Sequence, residues 1–329
     1  MAAYGLQTQI WNNNLKSILL LCGFPILLSG LLFALLLLFD VMSGRAVDLQ
    51  SSLFNAGTAI PTILPFAALG AIGWFTIAFF AHQNMIDAST GAKKIERKEN
   101  PKLYNMLENL CISRGMPVPA LRIIETPALN AYASGIRENS MSVTLTSGLV
   151  ARLDDDELEA VIGHELTHIR NKDVRLLVVA IIFVGIFSFV GEIVFRSMFR
   201  VNLVRSRSFR RSGSGNAGVL ILIAFLIVGI TWFLSVLVRF AISRRREFLA
   251  DAGAVELTRN PDAMIRALQK ISGNSNLEVP PDVQQMCIEN AANGGISGLF
   301  ATHPPIKKRI EALVMMGGQV QQHPVGPWG

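Results

Sequence analysis

Cysteine is scarce in this sequence: Cys22, Cys111 and Cys287 are the only three among 329 residues, without the spacing of a disulfide framework or a thiolate metal site. Charge is scarce as well. Charged residues make up 16% against 51% hydrophobic residues, a balance that does not suit a wholly soluble protein. No internal repeat and no glycine-rich nucleotide loop is present, which sets aside solenoids and nucleotide-binding folds. The net charge of +6 comes from clusters at 93–98, 196–211 and 244–246 that flank apolar runs and lack interleaved aromatics. They read as anchors on lipid phosphates, not as a nucleic-acid surface.

What is abundant is apolar sequence, in four runs. Ser17 to Phe39 carries no charge and is long enough for about 30 Å of hydrocarbon. It is too long for a signal-peptide core and no small-residue cleavage site follows, so an uncleaved span is expected. The second run, Ala56 to Ala81, contains Pro61 and Pro65, which a membrane helix tolerates or which mark where it starts. The third is free of charge only from Leu176 to Gly191, and the fourth runs from Ala217 to Val238. For these two a buried core helix is the alternative.

Between the second and third runs lies Val161-Ile-Gly-His-Glu-Leu-Thr-His-Ile-Arg-Asn171. On a helix, His164 and His168 share a face, so two imidazoles can converge on one metal ion while Glu165 reaches a water beside it. Asp154 is the expected N-cap and Glu157 its partner three residues on, ahead of an apolar face made by Leu158, Val161, Ile162, Leu166 and Ile169. Taken alone, the pattern also fits an amphipathic helix with two surface histidines. Beyond the fourth run comes Arg246-Glu-Phe-Leu-Ala-Asp251. Glu247 and Asp251 share a helix face, which suits Glu247 as third metal ligand and Asp251 as hydrogen-bond partner of the outer nitrogen of a ligand histidine. Pairing of both acids with neighbouring arginines is the alternative.

Upstream, Leu103 to Arg114 has helical spacing behind Pro101, and Leu121 to Glu125 and Met141 to Thr146 read as strands. Asn130-Ala-Tyr-Ala-Ser-Gly135 between them is either an edge strand able to pair with an extended peptide or a connecting loop. Downstream, Asn260-Pro-Asp262 precedes a helix with Met264, Ile265, Leu268 and Ile271 in its core face. Ser272 to Gly298 reads as a mobile loop around one short helix, and His303 with Arg309 opens a last helix.

These segments together resemble the HtpX family of membrane-embedded zinc metalloproteases, relatives of the type 1 CAAX prenyl proteases. The resemblance rests on Asn130-Ala-Tyr-Ala133, Leu158 to His168, Arg246 to Asp251, and His303-Pro followed by Arg309, set among four apolar runs. It implies an α+β, mostly helical zincin-like protease with a small β-sheet and about four transmembrane helices. It also implies one Zn2+ per chain on His164, His168 and Glu247, with Glu165 as catalytic base. His303 would donate to the oxyanion, and Asn130, Tyr132 and Arg309 would contact substrate. The expected organisation is a membrane hairpin over 1–82, protease segments over 83–173 and 244–329, and a second hairpin over 174–243.

The expected work is hydrolysis of damaged or misfolded membrane proteins in the bacterial inner membrane, with the active site towards the cytoplasm. Lys93, Lys94, Arg97 and Lys98 against Arg45 favour that orientation, while the arginines from Arg196 to Arg211 oppose it for the second hairpin. Two rivals stay open: a prenyl-protein protease, and a membrane scaffold with a purely structural zinc site.

Overall fold

The computed structural model describes residues 6–43, 48–200, 218–219, 221–230, 245–272, 274–275, 277, 279, 286–288 and 304–319. The chain divides into two compact units, one of Met1–Asn14, Ala81–Val178 and Ile242–Gly329, the other of Leu15–Phe80 and Val179–Ala241.

The second unit is built from long apolar helices. Helix α1 spans Leu6–Met42 and α2 spans Leu49–Thr90. Pro25, Pro61 and Pro65 all lie inside these helices, so the prolines of the second run do not mark where its helix starts. Among the described residues two helices are long and apolar enough to cross a membrane, Gly23–Val41 within α1 and α2 itself. Phe24 packs edge-on to Phe75 at 5.3 Å between ring centres and lies 5.6 Å from Phe187. Phe54, Phe66, Leu69, Ile77 and Phe80 point outward, the arrangement of a helix whose solvent is lipid. The third apolar run lies in helix α6, Asp173–Arg200. The fourth is described only in part, as an apolar helix Ile221–Ile230. The rest of it, the arginine-rich loop and His303 lie outside the described residues.

In the first unit, β1 (Lys93–Lys94), β2 (Ala120–Ile124), β3 (Ala131–Ser134) and β4 (Ser142–Thr146) form one sheet in the order β1-β2-β4-β3. The central β2–β4 pair is parallel and both outer pairs are antiparallel, with Tyr132 opposite Thr144. The Asn130–Gly135 stretch therefore contains an edge strand. Helix α3, Pro101–Ser113, starts as expected, with Asn100 accepting from the Leu103 N–H at 3.1 Å and proline in its first turn. A short α4, Ser147–Arg152, leads to α5, Asp155–Arg170.

Helix α5 opens with a reciprocal capping box: Asp154 accepts from the Glu157 N–H and Glu157 from the Asp154 N–H, both at 2.9 Å. Helices α7 (Arg245–Thr258), α8 (Pro261–Ile271) and α9 (Ile306–Val314) complete the unit. Leu158, Val161, Ile162 and Leu166 of α5 meet Met264, Ile265, Leu268 and Ile271 of α8 in one buried core, with Leu121, Val143 and Leu145 from the sheet. Both helical apolar stripes point where their spacing predicts.

Candidate metal centre

Two helices supply the centre, and small residues let them approach. A Cβ on Gly253 of α7 would stand 2.4 Å from Thr167 Cγ2 of α5, and one on Gly163 would meet Ala254 Cα at 3.5 Å. Ala250 and Ala254 are fully buried in the same seam. Backbones this close allow the carboxylate of Glu247 to reach the α5 histidines.

His164 Nε2 and His168 Nε2 stand 3.1 Å apart, and the Glu247 oxygens lie 3.6 Å from the first and 3.7 Å from the second. The three donor atoms all lie within 4.8 Å of one another. Two ligands on a tetrahedral ion at zinc distances stand about 3.3 Å apart, so the spacing fits. The outer nitrogens argue the same way. His164 Nδ1 lies 2.9 Å from Asp251 Oδ1 and His168 Nδ1 lies 3.1 Å from Asp173 Oδ2. Each Nδ1 then donates to its carboxylate, which leaves both Nε2 lone pairs facing one point. Two ring nitrogens and a carboxylate converging in a buried space call for positive charge between them, a metal ion or, without one, a proton on His168.

The electrostatics favour a divalent guest. Burial works against charge on His168, but Glu247 and Asp173 outweigh it and raise the ring to about 10. Metal uptake at neutral pH therefore releases a proton. Burial alone would raise Asp251, yet the guanidinium of Arg309 and the His164 ring hold its carboxyl below the usual range. Arg309 is fully buried, with Nε 2.8 Å from Asp251 Oδ2 and Nη2 2.6 Å from Oδ1.

Glu165 is 1% exposed, and its Oε1 has no hydrogen-bond partner among the described residues. Burial pushes its carboxyl up, partly offset by the two histidines. A raised carboxylate without a structural partner is suited to accept a proton.

The sequence-predicted residues are thus gathered as follows. His164, His168, Glu247 and Asp251 meet, with Glu165 beside them. Asn130 is buried at the start of the edge strand, its Nδ2 donating to the Ser275 carbonyl at 2.9 Å. Tyr132 is 1% exposed, its hydroxyl 3.2 Å from Thr90 Oγ1 and raised by burial to about 12. Arg309 is committed to Asp251 and to the Ile288 carbonyl, at 2.8 Å, with no exposed surface.

One residue escaped sequence reasoning. Asp173, the partner of His168, follows Lys172, whose left-handed φ of 60° separates α5 from α6. Its one signal is an acidic residue opening α6. Arg246, 5% exposed, donates from Nε to Glu247 Oε1 at 3.2 Å, so the pairing of Glu247 with a neighbouring arginine is present beside its place in the triad.

The sequence also matches known proteins. Residues 97–316 match the model of peptidase family M48. A protein described as protease HtpX homolog from Bacteroides fragilis is 45% identical over 324 residues, covering 95% of this chain and 99% of its own length. A namesake from Listeria monocytogenes is 34% identical over 319 residues, covering 94% of this chain and 99% of its own. Among solved structures, the crystal structure of S. mikatae Ste24p aligns at 20% identity and a TM-score of 0.48, over 77% of this chain and 59% of that one.

Proposed function

The chain belongs to peptidase family M48, in its HtpX group, and is a zinc metalloendopeptidase; from that premise we propose that it hydrolyses damaged or misfolded membrane proteins as part of quality control under stress. The observation that carries the reading is the buried His164, His168 and Glu247 triad with a partnerless Glu165 carboxylate oxygen beside it. A structural site would be closed by a fourth protein ligand and would need no base.

The ion these residues would hold is Zn2+, which when bound supplies Lewis acidity towards a peptide carbonyl and lowers the pKa of water. Glu165 takes a proton from the attacking water and returns it to the leaving amine nitrogen. Asp251 and Asp173 hold the two imidazoles in the tautomer that presents Nε2, and Arg309 keeps Asp251 ionised. His303 would donate to the developing oxyanion, an interaction of about 2–4 kcal/mol by analogy with other such donors. Asn130, Tyr132 and Arg309 would line the path of the substrate backbone.

The two apolar helices associate the protein with membrane. We place it in the bacterial inner membrane with four spans and the catalytic unit on the cytoplasmic side. His168 lies just before the third apolar run and Glu247 just after the fourth, so those runs return to one face as a hairpin. Protease accessibility of Ser206 to Asn216 in sealed vesicles tests this: protection from the cytoplasmic side is expected, and cleavage there would leave the third run short of a full crossing.

The function is tested with detergent-purified protein and an unfolded model substrate, with zinc or a chelator. Zinc-dependent cleavage is expected from the wild type, none from Glu165→Gln with its zinc retained, and loss of both zinc and cleavage from His164→Ala. Preference for a prenylated C-terminal peptide would redirect the reading to lipidated substrates.

A further inference from the structure

The residues assigned to substrate all hold one piece of the chain itself, Asn130 and Arg309 through side chains and Tyr132 through its main chain. Cys287 pairs with Tyr132 in an isolated antiparallel bridge. The Ile288 N–H donates to the Ala131 carbonyl at 2.8 Å and to Asn130 Oδ1 at 3.1 Å, and Arg309 Nη1 donates to the Ile288 carbonyl at 2.8 Å. Met286, Cys287 and Ile288 are all buried. Strand β3 has β4 on one side and is otherwise the edge of its sheet, so this segment lies on its free edge. An extended peptide joining a sheet edge would use the same main-chain groups.

The centre is also largely buried. His168 is 9% exposed, but His164, Glu165 and Glu247 are each no more than 1% exposed, so a scissile bond reaches Glu165 only if something moves. Among the described residues the contact with β3 is one bridge and one main-chain bond, whereas a longer peptide can pair along all of Ala131–Ser134.

We propose that Met286–Ile288 is an internal occupant of the substrate strand, which keeps the resting enzyme closed until a polypeptide displaces it. This rests on the reading of the chain as a peptidase. Substrate affinity is then reduced by the fraction of molecules whose edge is free, and long unfolded segments, which can pair further along β3, are favoured over short peptides.

One measurement decides it. In Glu165→Gln protein with Cys22→Ser and Cys111→Ser, Cys287 is the sole thiol and is buried. Maleimide labelling of Cys287 is followed with and without β-casein, an unfolded, cysteine-free polypeptide, at a concentration shown by fluorescence anisotropy to saturate binding. Labelling at least about tenfold faster with casein is expected; an unchanged rate overturns the proposal. Wild-type cleavage is read in parallel. Its absence would sink the peptidase reading, while the labelling still decides whether a bound polypeptide displaces the segment.

Discussion

Helix α2 turns Phe54, Phe66, Ile77 and Phe80 outward, at 69%, 73%, 64% and 65% exposure, whereas α5 buries Glu157, His164 and Glu165 to 1% or less. In an aqueous protein the two helices would look exchanged. Neither is an anomaly once its surroundings are named. The outward aromatics of α2 face hydrocarbon, where apolar surface carries no penalty. Three of the buried ionisable groups of α5 are answered by name, Glu157 by Lys270 at 2.6 Å and Arg266 at 3.4 Å, His164 by Asp251, and His168 by Asp173, while Glu165 keeps one oxygen without a partner. Position in these helices is set by what stands against each face, not by side-chain polarity alone.

That contrast can be broken from either side. The largest effect is expected from Arg309→Met, which leaves Asp251 buried beside His164 without its cation. A loss of about 3–5 kcal/mol in unfolding free energy follows from removing one partner of a buried pair; a midpoint like that of the wild type would mean that water screens Asp251. On the other side, Phe66→Lys puts a charge among lipid-facing residues. It should cost about 2.5–3.5 kcal/mol of insertion free energy if the position lies near the bilayer centre, measured by glycosylation mapping of inserted chains, and leave zinc affinity unchanged.

Asp173→Asn sharpens the buried half by testing a hydrogen bond instead of a charge pair. Zinc affinity should fall about 10–100-fold by competition with a chromogenic chelator, with cleavage largely recovered at saturating zinc. Gly253→Ala tests the seam that brings α5 and α7 together. The added methyl meets Thr167 at 2.4 Å, and a cost of about 1–3 kcal/mol is expected from overpacking, with weaker zinc binding because Glu247 moves with α7. A stabilised variant would show that Thr167 can swing aside.

How much of this was legible in the sequence depended on distance along the chain. His164 with His168, and Glu247 with Asp251, are fixed by helical periodicity, which a reader can apply without a structure. The cap at Asp154 was equally local, while those at Asn100 and Asn260 are seen only in the structure. The Arg309 to Asp251 pair joins residues 58 apart, and nothing local announces it. The partner of His168 was missed because it lies past the helix end, where a left-handed Lys172 separates α5 from α6 and periodicity no longer applies. Ser272 to Gly298 has the composition of a loop, yet Met286–Ile288 pairs with β3. Strand pairing depends on main-chain groups that every residue type carries.

The membrane helices show the limit of hydropathy in another way. The apolar run Ala56 to Ala81 marked the hydrocarbon-compatible part of α2, but the helix extends from Leu49 to Thr90. Its last turns, from Gln83, carry polar side chains that bond the sheet. Asp87 accepts from Arg122 Nε at 2.9 Å, and Gln83 Oε1 accepts from Ser134 Oγ at 2.8 Å. Composition changed there while the backbone did not.

The order in which the centre's parts appear along the chain sets a timetable for its assembly during synthesis. His164 and His168 emerge first, Glu247 and Asp251 only after both later apolar runs, and Arg309 near the end. At about 5–20 residues per second, Arg309 is translated on the order of ten seconds after His168. Until Glu247 has emerged, a nascent chain threading into the membrane carries the two histidines and Glu165 without the third ligand. It cannot cut itself, or the insertion machinery around it, before that point.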